Sequence, residues 1–302
     1  MKKYHILAAL LVCFTFAAAF SHTAKAADPT PAKVIVPSLT VRDNASPNAN
    51  VIGSLKKYTT LSVYGQVPGG WSEIRFQNRR AYVPTGHLKT ARDTVVVTFG
   101  DSNTEGTNWL ENPTYAESDK WAAKLGQTYQ VINAGIGGDT TVKGYNRFER
   151  DVLAKNPDIV TIMFGTNDAV ISTEARARVS KKEFEENIRY FVDTLKARKI
   201  RVILMTTPPM IQGLFYERYN ENLYRPYNGA RQWNDSYNAI IRKIAREKQV
   251  TLIDNYRNMT LVAGGVTDAR LMLSGLIDFS GTHLTPRGAE MIYHSVNRVI
   301  RP

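Results

Sequence analysis

From residue 93 onward, short apolar segments alternate with longer amphipathic ones, and this alternation constrains the fold more than any other feature. The apolar segments predict five strands, at 94–99, 130–133, 158–164, 201–206 and 250–253. Near-continuous apolar strands separated by helices are typical of a parallel sheet covered on both faces. We therefore expect residues 93–302 to form an α/β domain with three layers, α/β/α, around a five-stranded parallel sheet.

Three patterns place helices between or after these strands. Apolar residues recur at helical spacing from Phe184 to Leu195 and again from Tyr237 to Ile244. The last helix is predicted to begin at Thr285-Pro286, because threonine is a good N-cap and proline is favoured at the first helical position.

Residues 34–92 follow a different pattern, in which short alternating runs are broken by turn residues. The segment 71–76 (WSEIRF) alternates with period two, as half-buried antiparallel strands do. These residues predict a small all-β barrel, preceded by a flexible spacer at 27–33. Residues 39–42 (LTVR), 51–55 (VIGSL) and 81–83 (AYV), together with Trp71, resemble the bacterial Src-homology-3-like domain. The resemblance implies a module that often attaches exported proteins to the cell wall.

Residues 1–26 have the layout of a secretory signal peptide. Lys2 and Lys3 precede an apolar run at 6–20, and a small-x-small cleavage site follows at 24–26 (AKA). A retained membrane anchor is the alternative, although the run is shorter than the roughly 20 residues that span a bilayer. Lipidation at Cys13 is not expected, because a valine precedes it. We expect a secreted, cell-wall-associated protein without a transmembrane segment after removal of the leader.

The composition of the mature chain excludes several kinds of chemistry. Its only cysteine leaves with the leader, and only His87, His283 and His294 remain. A zinc site built from cysteine and histidine, a disulfide and a cysteine nucleophile are therefore excluded. We expect neither a metal nor an organic cofactor.

Positive charge is concentrated on the small domain. Residues 27–92 carry a net charge of +6, whereas residues 93–302 carry +3. Such a surface is attracted to polyanions. For an exported protein this predicts an anionic cell-wall polymer as the partner of residues 34–92, and makes nucleic acid a remote one. A solvated basic surface that keeps the protein soluble is the alternative.

Three of the predicted strands end in glycine and small polar residues. The first runs into 100–103 (GDSN), the second into 133–139 (NAGIGGD), and the third into 164–168 (FGTND). Each alone would be an ordinary turn. In an open parallel sheet, however, the carboxyl ends of the strands meet at one edge, where functional residues gather. We expect the site at this edge.

These blocks resemble those of the SGNH (GDSL-type) hydrolases, and the resemblance covers about 93–302. It implies a flavodoxin-like fold, with Ser102 as the nucleophile and His283 as the base. It also implies an oxyanion hole formed by the N–H groups of Ser102 and Gly138 and the amide of Asn167. The residue types fit this chemistry, since a serine hydroxyl needs an adjacent general base and a tetrahedral oxyanion needs several donors. His294 falls in the last helix and is expected to be a packing or surface residue.

One position departs from the family pattern. The acid that usually lies three residues before the histidine is replaced by Ser280, and the nearest carboxylate is Asp278. Three outcomes are open. Asp278 reaches the imidazole by another path; Ser280 or a backbone carbonyl orients it, leaving a Ser–His dyad; or catalysis is weakened or lost.

A long aromatic segment at 208–231 follows the fourth strand, and a connection of this length suggests a lid or a binding surface. A self-packed surface loop is the alternative. The candidate substrate-binding residues are Tyr216 and Tyr219 in this segment and Asp101 beside the nucleophile.

The sequence as a whole predicts an exported serine esterase that deacetylates a cell-envelope carbohydrate. A lipase, thioesterase or acyltransferase of the same fold is one alternative. A non-catalytic wall-binding protein is the other.

Overall fold

A computed structural model of the chain describes residues 29–90, 93–106, 115–172 and 176–301. The predicted signal peptide at 1–26, with Cys13, lies outside these residues. None of the described helices is long and apolar enough to cross a membrane.

The N-terminal domain is a seven-stranded antiparallel sheet, and the predicted all-β domain is confirmed. Its strands are β1 Thr30–Val34, β2 Ser38–Arg42, β3 Val51–Lys56, β4 Thr60–Val67, β5 Trp71–Phe76, β6 Arg79–Pro84 and β7 Leu88–Thr90. Their order in the sheet is β3-β2-β6-β5-β4-β1-β7. Val41, Ile74 and Val83 belong to the small apolar core of this domain.

The spacer predicted at 27–33 is wrong for residues 30–33, which form most of β1. This strand pairs with β4 on one side and β7 on the other. Ala32 and Val34 are fully buried in the core. The segment 27–33 (ADPTPAK) does not look like a strand in the sequence, because it contains two prolines and a lysine. Before Val34, only Ala32 places an apolar side chain in the core.

The second domain is built on a five-stranded parallel sheet, and all five predicted strands are confirmed. They are β8 Val95–Gly100, β9 Gln130–Gly135, β10 Ile159–Met163, β11 Arg201–Met205 and β12 Thr251–Ile253. Their order is β12-β11-β10-β8-β9, and every neighbouring pair is parallel. This is the flavodoxin-like order, in which the order of successive strands reverses between β8 and β10.

Helices cover both faces of this sheet, as predicted. They are α1 Ser102–Glu105, α2 Trp121–Gly126, α3 Thr141–Asp151, α4 Lys181–Ala197, α5 Gln212–Tyr216, α6 Ala230–Lys248, α7 Asn255–Val262, α8 Asp268–Ser274 and α9 Pro286–Ile300. Successive strand residues point to opposite faces. Phe99 thus packs with α3, α4 and α6, whereas Val96 packs with α2, α8 and α9. The side chain of Thr285 accepts from Gly288 N and caps α9, as the Thr-Pro pair predicts.

Gly135, at the end of β9, allows the nucleophile turn to lie against the sheet. A Cβ atom at this position would lie 2.1 Å from the backbone nitrogen of Glu105 and 2.6 Å from the carbonyl carbon of Thr104. Both are backbone atoms of α1, so no side-chain rotation relieves the overlap. Glycine is therefore required here by close backbone approach.

Replacing Gly135 with alanine is expected to lower the free energy of unfolding by about 3 kcal/mol, because overpacking against backbone costs 1–3 kcal/mol or more. Thermal and urea unfolding would measure this. Gly126 is the matched control, since a Cβ there would make an ordinary contact at 3.9 Å with Val131. Equal stability of the two alanine variants would contradict the close-approach argument.

Candidate active site

Three loops meet at the carboxyl edge of the parallel sheet, beside the reversal of strand order. Ser102 follows β8, Gly138 follows β9 and Asn167 follows β10. His283 is brought to the same edge by the turn before α9. Ligand sites in open α/β sheets lie at such a point, so the topology brings Ser102, Gly138 and Asn167 together, and the turn before α9 adds His283.

The nucleophile turn presents Ser102 as the first residue of α1. Asp101 is the N-cap of this helix, and its carboxylate accepts from Asn103 N at 3.0 Å. Asp101 is completely buried, which raises its pKa to about 7. The structure thus gives the carboxylate of Asp101 a role in bracing the turn from inside the protein, and substrate binding by Asp101 stays a prediction.

The imidazole of His283 lies against the hydroxyl of Ser102. His283 Nε2 and Ser102 Oγ are 2.9 Å apart, although the two residues are separated by 181 positions in the chain. On the other side of the ring, Nδ1 lies 3.0 Å from Ser280 Oγ. Ser280 Oγ in turn lies 2.5 Å from Asp278 Oδ1. The serine at the family's usual acid position thus joins the histidine to the aspartate two residues earlier.

Counting hydrogens on Ser280 defines the tautomer of the histidine. The hydroxyl carries one hydrogen, and the carboxylate oxygen of Asp278 can only accept, so the hydrogen lies between these two oxygens. Three nitrogens, His283 Nδ1 and the backbone nitrogens of Thr282 and His283, then share the two lone pairs of Ser280 Oγ. We therefore assign the imidazole hydrogen to Nδ1, which leaves the lone pair of Nε2 facing Ser102. This is the arrangement that a general base requires.

The remaining side of Ser102 offers hydrogen-bond donors. The Asn167 side-chain amide donates one hydrogen to the Asp139 carbonyl at 3.0 Å and keeps a second for a ligand. Gly138 has a φ of 76°, a conformation that glycine adopts without steric cost, and a Cβ atom there would meet open space. Ser102, Gly138, Asn167 and His283 all line one cavity of about 330 Å³. The predicted oxyanion-hole residues therefore converge on the space in front of the serine.

A buried arginine that the sequence analysis missed holds these loops together. Arg147 of α3 donates to Asp139 Oδ2 at 2.7 Å, to Ala134 O at 2.8 Å and to Gly100 O at 3.0 Å. It is only 6% exposed. These bonds join the ends of β8 and β9 to the Gly138 loop. The one signal in the sequence was an arginine beside Phe148 on the apolar face of a helix.

Asp168 and Asn103 make the other connections between loops. Asp168 Oδ1 accepts from the backbone N and hydroxyl of Thr141 at 2.8 and 2.6 Å, and burial raises the pKa of Asp168 to about 6. Asn103 Nδ2 donates to Thr282 O at 3.1 Å, which ties the nucleophile turn directly to the histidine turn. Sequence reasoning did not identify Asn103, because its partner is 179 residues away.

The aromatic segment after β11 is largely packed on itself. Phe215 and Tyr224 lie in a small apolar cluster with Met210 and Ala230, as the alternative reading of this segment expected. Tyr219 lines the cavity in front of Ser102 and stacks on Phe215 with 4.4 Å between ring centroids.

Tyr216 is not among the described residues that line this cavity. Its hydroxyl accepts from Ala230 N at 2.8 Å. The hydroxyl of Tyr216 thus holds the start of α6, and substrate binding by Tyr216 stays a prediction.

The electrostatics of His283 favour the neutral base. Burial lowers its pKa below the ordinary value of 6.5; the carboxylate of Asp278 raises it, and the positive charge of Arg218 lowers it further. The net shift in the pKa of His283 is downward.

Among the described residues, no cluster of three or more histidine, cysteine, aspartate or glutamate side chains could hold a metal ion.

Since only the neutral imidazole accepts a proton from Ser102, the lowered pKa keeps the base competent under mildly acidic conditions. We expect the acid limb of kcat/KM for p-nitrophenyl acetate to be centred below pH 6.5, the ordinary value for histidine. The pH profile of kcat/KM measures this. The Asp101→Asn variant is a control, because it removes a carboxyl whose pKa burial raises to about 7. An acid limb centred at or above 7, or one that shifts in this variant, would contradict the assignment to His283.

Comparison with known proteins agrees with the geometry. The GDSL-like Lipase/Acylhydrolase family matches residues 98–291, and the Bacterial SH3 domain matches residues 37–89. The solved lipase/acylhydrolase from Enterococcus faecalis is 26% identical with a TM-score of 0.52, over 69% of this chain and 95% of its own.

Two curated relatives bear on the function. The "Uncharacterized lipoprotein YqeF" of Bacillus subtilis is 43% identical over 212 residues, which cover 67% of this chain and 87% of the relative. The acetylxylan esterase of Geobacillus stearothermophilus is 29% identical over 130 residues, which cover 41% of this chain and 53% of that esterase.

Proposed function

Because the chain belongs to the GDSL-like lipase/acylhydrolase family of carboxylic ester hydrolases, we propose that it is an exported serine esterase that removes acetyl groups from a cell-envelope carbohydrate. The observation that carries the catalytic part is the line of contacts from Asp278 through Ser280 and His283 to Ser102. It ends at the cavity of about 330 Å³ that Ser102 and His283 line.

In the first half of the reaction, Ser102 Oγ attacks the ester carbonyl while its proton passes to His283 Nε2. The carbonyl oxygen becomes an oxyanion that accepts from the N–H groups of Ser102 and Gly138 and the amide of Asn167. Each such donor contributes roughly a hundred- to thousand-fold in rate. Collapse of the tetrahedral intermediate breaks the bond to the alcohol, which leaves with the proton from His283.

In the second half, water replaces the alcohol. His283 takes one proton from the water as its oxygen attacks the acetyl-serine, and it returns that proton to Ser102 Oγ when the acetate leaves. The imidazolium that forms in each half donates from Nδ1 to Ser280. The hydroxyl of Ser280 donates to Asp278, so the carboxylate stabilises the cation through one intervening hydroxyl.

The residues that line the cavity favour a substrate with a small acyl group on a polar alcohol. The cavity holds about 330 Å³ and is lined in front of Ser102 by Arg178, Arg218, Tyr219 and Phe215. A long acyl chain would require a more aliphatic groove. Aromatic rings next to hydrogen-bonding groups suit the faces and hydroxyls of a sugar. The similarity to an acetylxylan esterase supports the same substrate class.

Release of acetate from purified wall polysaccharides tests this proposal. The protein is incubated with each O-acetylated polymer, and with nitrophenyl esters of two to twelve carbons. We expect acetate release, and kcat/KM that falls as the acyl chain lengthens. A preference for long chains would favour a lipase instead. No hydrolysis of any ester would favour the non-catalytic reading.

We also propose that the N-terminal domain holds the protein at the cell wall through an anionic polymer. The net charge of +6 on residues 27–92 supports this, and Lys56 and Lys57 are exposed at the end of β3. The predicted leader supports export, as does the lipoprotein name of the Bacillus subtilis relative. Attraction between exposed charges weakens with salt, because the Debye length is about 10 Å at 0.1 M.

Sedimentation with insoluble cell wall measures this attachment. The Lys56→Glu/Lys57→Glu variant is expected to pellet several-fold less than the unchanged protein at low salt. The Lys155→Glu/Lys182→Glu variant is the matched control, since both of its lysines are exposed on the second domain. Equal loss in the two variants would mean that overall charge, and not the N-terminal domain, determines attachment.

A further inference from the structure

The cavity in front of Ser102 has a positively charged wall. Arg178 and Arg218 both line it, and none of the described lining residues is a carboxylate. Two guanidinium groups in the wall favour a negatively charged group over a neutral one in this space. Their presence bears on the alcohol part of the ester, because the acetyl group itself carries no charge.

The two arginines come from separate segments, and hydrogen bonds locate each segment. Arg218 follows α5, and its Nη2 lies 3.5 Å from Thr282 Oγ1, in the turn that carries His283. Arg178 lies in the segment after β10, where its backbone N–H donates to Val170 O at 2.9 Å. Two parts of the fold thus bring positive charge to the same space.

On this basis, and building on the proposed esterase activity, we propose that the substrate is an ester of an acidic glycan. Arg178 and Arg218 bind a carboxylate or phosphate group on the sugar that carries the acetyl ester. The planar guanidinium presents paired N–H donors that match both kinds of oxyanion. These arginines are then specificity-determining residues for the alcohol part of the substrate.

The electrostatics of the base point the same way. Proton transfer from Ser102 creates an imidazolium on His283, and the positive charge of Arg218 opposes that change. An anion bound to Arg218 offsets part of this repulsion during the reaction. A negatively charged sugar would therefore gain in kcat as well as in binding, whereas a neutral sugar would gain in neither.

Three matched substrates test the proposal. They are the methyl glycosides of glucose, glucuronic acid and glucose 6-phosphate, each with one acetyl ester at the same ring position. The second and third differ from the first only in the charged group, and they separate carboxylate from phosphate. We expect kcat/KM for at least one anionic substrate to exceed that for the neutral one by about tenfold or more, and the ratio to fall with added salt.

Variants then assign the preference to the two arginines. In Arg178→Gln/Arg218→Gln, the ratio of kcat/KM for the anionic to the neutral substrate is expected to fall to within about twofold of unity. Arg218→Lys should retain part of the ratio, because it keeps the charge. Arg225→Gln is the matched control, being exposed in the same aromatic segment but outside the cavity lining.

The outcomes are distinct from those for the esterase activity. Equal or better cleavage of the neutral glycoside overturns the proposal, as does a preference that survives in the double variant. Hydrolysis of p-nitrophenyl acetate without cleavage of either anionic glycoside also overturns it. In all of these cases the esterase activity stands. Failure to hydrolyse p-nitrophenyl acetate contradicts the proposed function instead.

Discussion

The Ser102→Ala variant is expected to lose about six orders of magnitude in kcat toward acetyl esters, the scale at which removal of a nucleophile disables a serine hydrolase. Alanine removes the oxygen that lies 2.9 Å from His283 Nε2 and leaves the donors of Gly138 and Asn167 in place. Ser102 is 5% exposed, so its loss leaves the surface almost unchanged. Acetate release at high enzyme concentration measures the residual rate.

His283→Ala should cost about as much, and the double variant no more than either single one, because the two residues act as one unit. His294→Ala is the matched control. That side chain is 62% exposed and pairs with Glu290 one turn away in α9. We expect full activity in the His294 variant and an unchanged melting temperature in all four variants, the two single ones, the double one and the control. Substantial activity in Ser102→Ala would mean that another group attacks the ester.

The Ser280→Ala variant is expected to lower kcat by about a thousandfold, somewhat less than loss of the third triad member in other serine hydrolases. Alanine removes both the acceptor for His283 Nδ1 and the hydroxyl that connects it to Asp278. The imidazole hydrogen is then free to move to Nε2, where it blocks transfer from Ser102. KM should change little, since Ser280 is fully buried and does not meet the substrate.

Two further measurements distinguish a positioning role for Ser280 from a merely structural one. Nitrogen NMR of the imidazole should report hydrogen on Nδ1 in the unchanged protein and a mixture of tautomers in Ser280→Ala. Asp278→Asn should lower kcat as well, because the amide no longer supplies the negative charge. An unchanged kcat in Ser280→Ala, at equal stability, would leave the Ser102–His283 pair as a self-sufficient dyad.

Exchanging the two residues provides the sharpest test. Ser280→Asp alone places two carboxylates in a buried turn, where like charges oppose ionisation, so we expect a less stable and less active protein. Ser280→Asp combined with Asp278→Ser leaves one carboxylate, now three residues before His283. We expect this double variant to recover activity over Ser280→Ala. No recovery would mean that the turn cannot present an acid directly to the imidazole.

Most of the second domain could be predicted from the sequence, because its central strands β8, β10 and β11 are buried at nearly every residue and so form largely apolar runs. The strand β10, for example, is buried at every residue. The strand β1 could not be predicted in this way, since only Ala32 and Val34 face the core and prolines flank the pattern. Its pairing with β4 and β7 depends on residues about thirty and sixty positions away.

The candidate site divides along the same line. The roles of Ser102, Gly138, Asn167 and His283 follow from the resemblance of local blocks to the SGNH hydrolases, and the rule that strand ends meet at one edge explains why three of the blocks lie together. The contact of Ser280 with His283 was one of three outcomes left open, whereas its simultaneous contact with Asp278 could not be predicted, because it depends on the path of a six-residue turn. Arg147 was missed for a similar reason: the role of a buried cation is recognisable only when its four acceptors are known.

The turn from Asp278 to His283 also bears on how inactive members of such families are recognised. Its internal contacts span at most five residues, so the whole arrangement can replace the usual spacing without altering the sheet. A search that demands an acid three positions before the histidine would discard this chain as a degenerate enzyme. Serine at that position, with aspartate two residues earlier, is better treated as an alternative motif for the same catalytic arrangement.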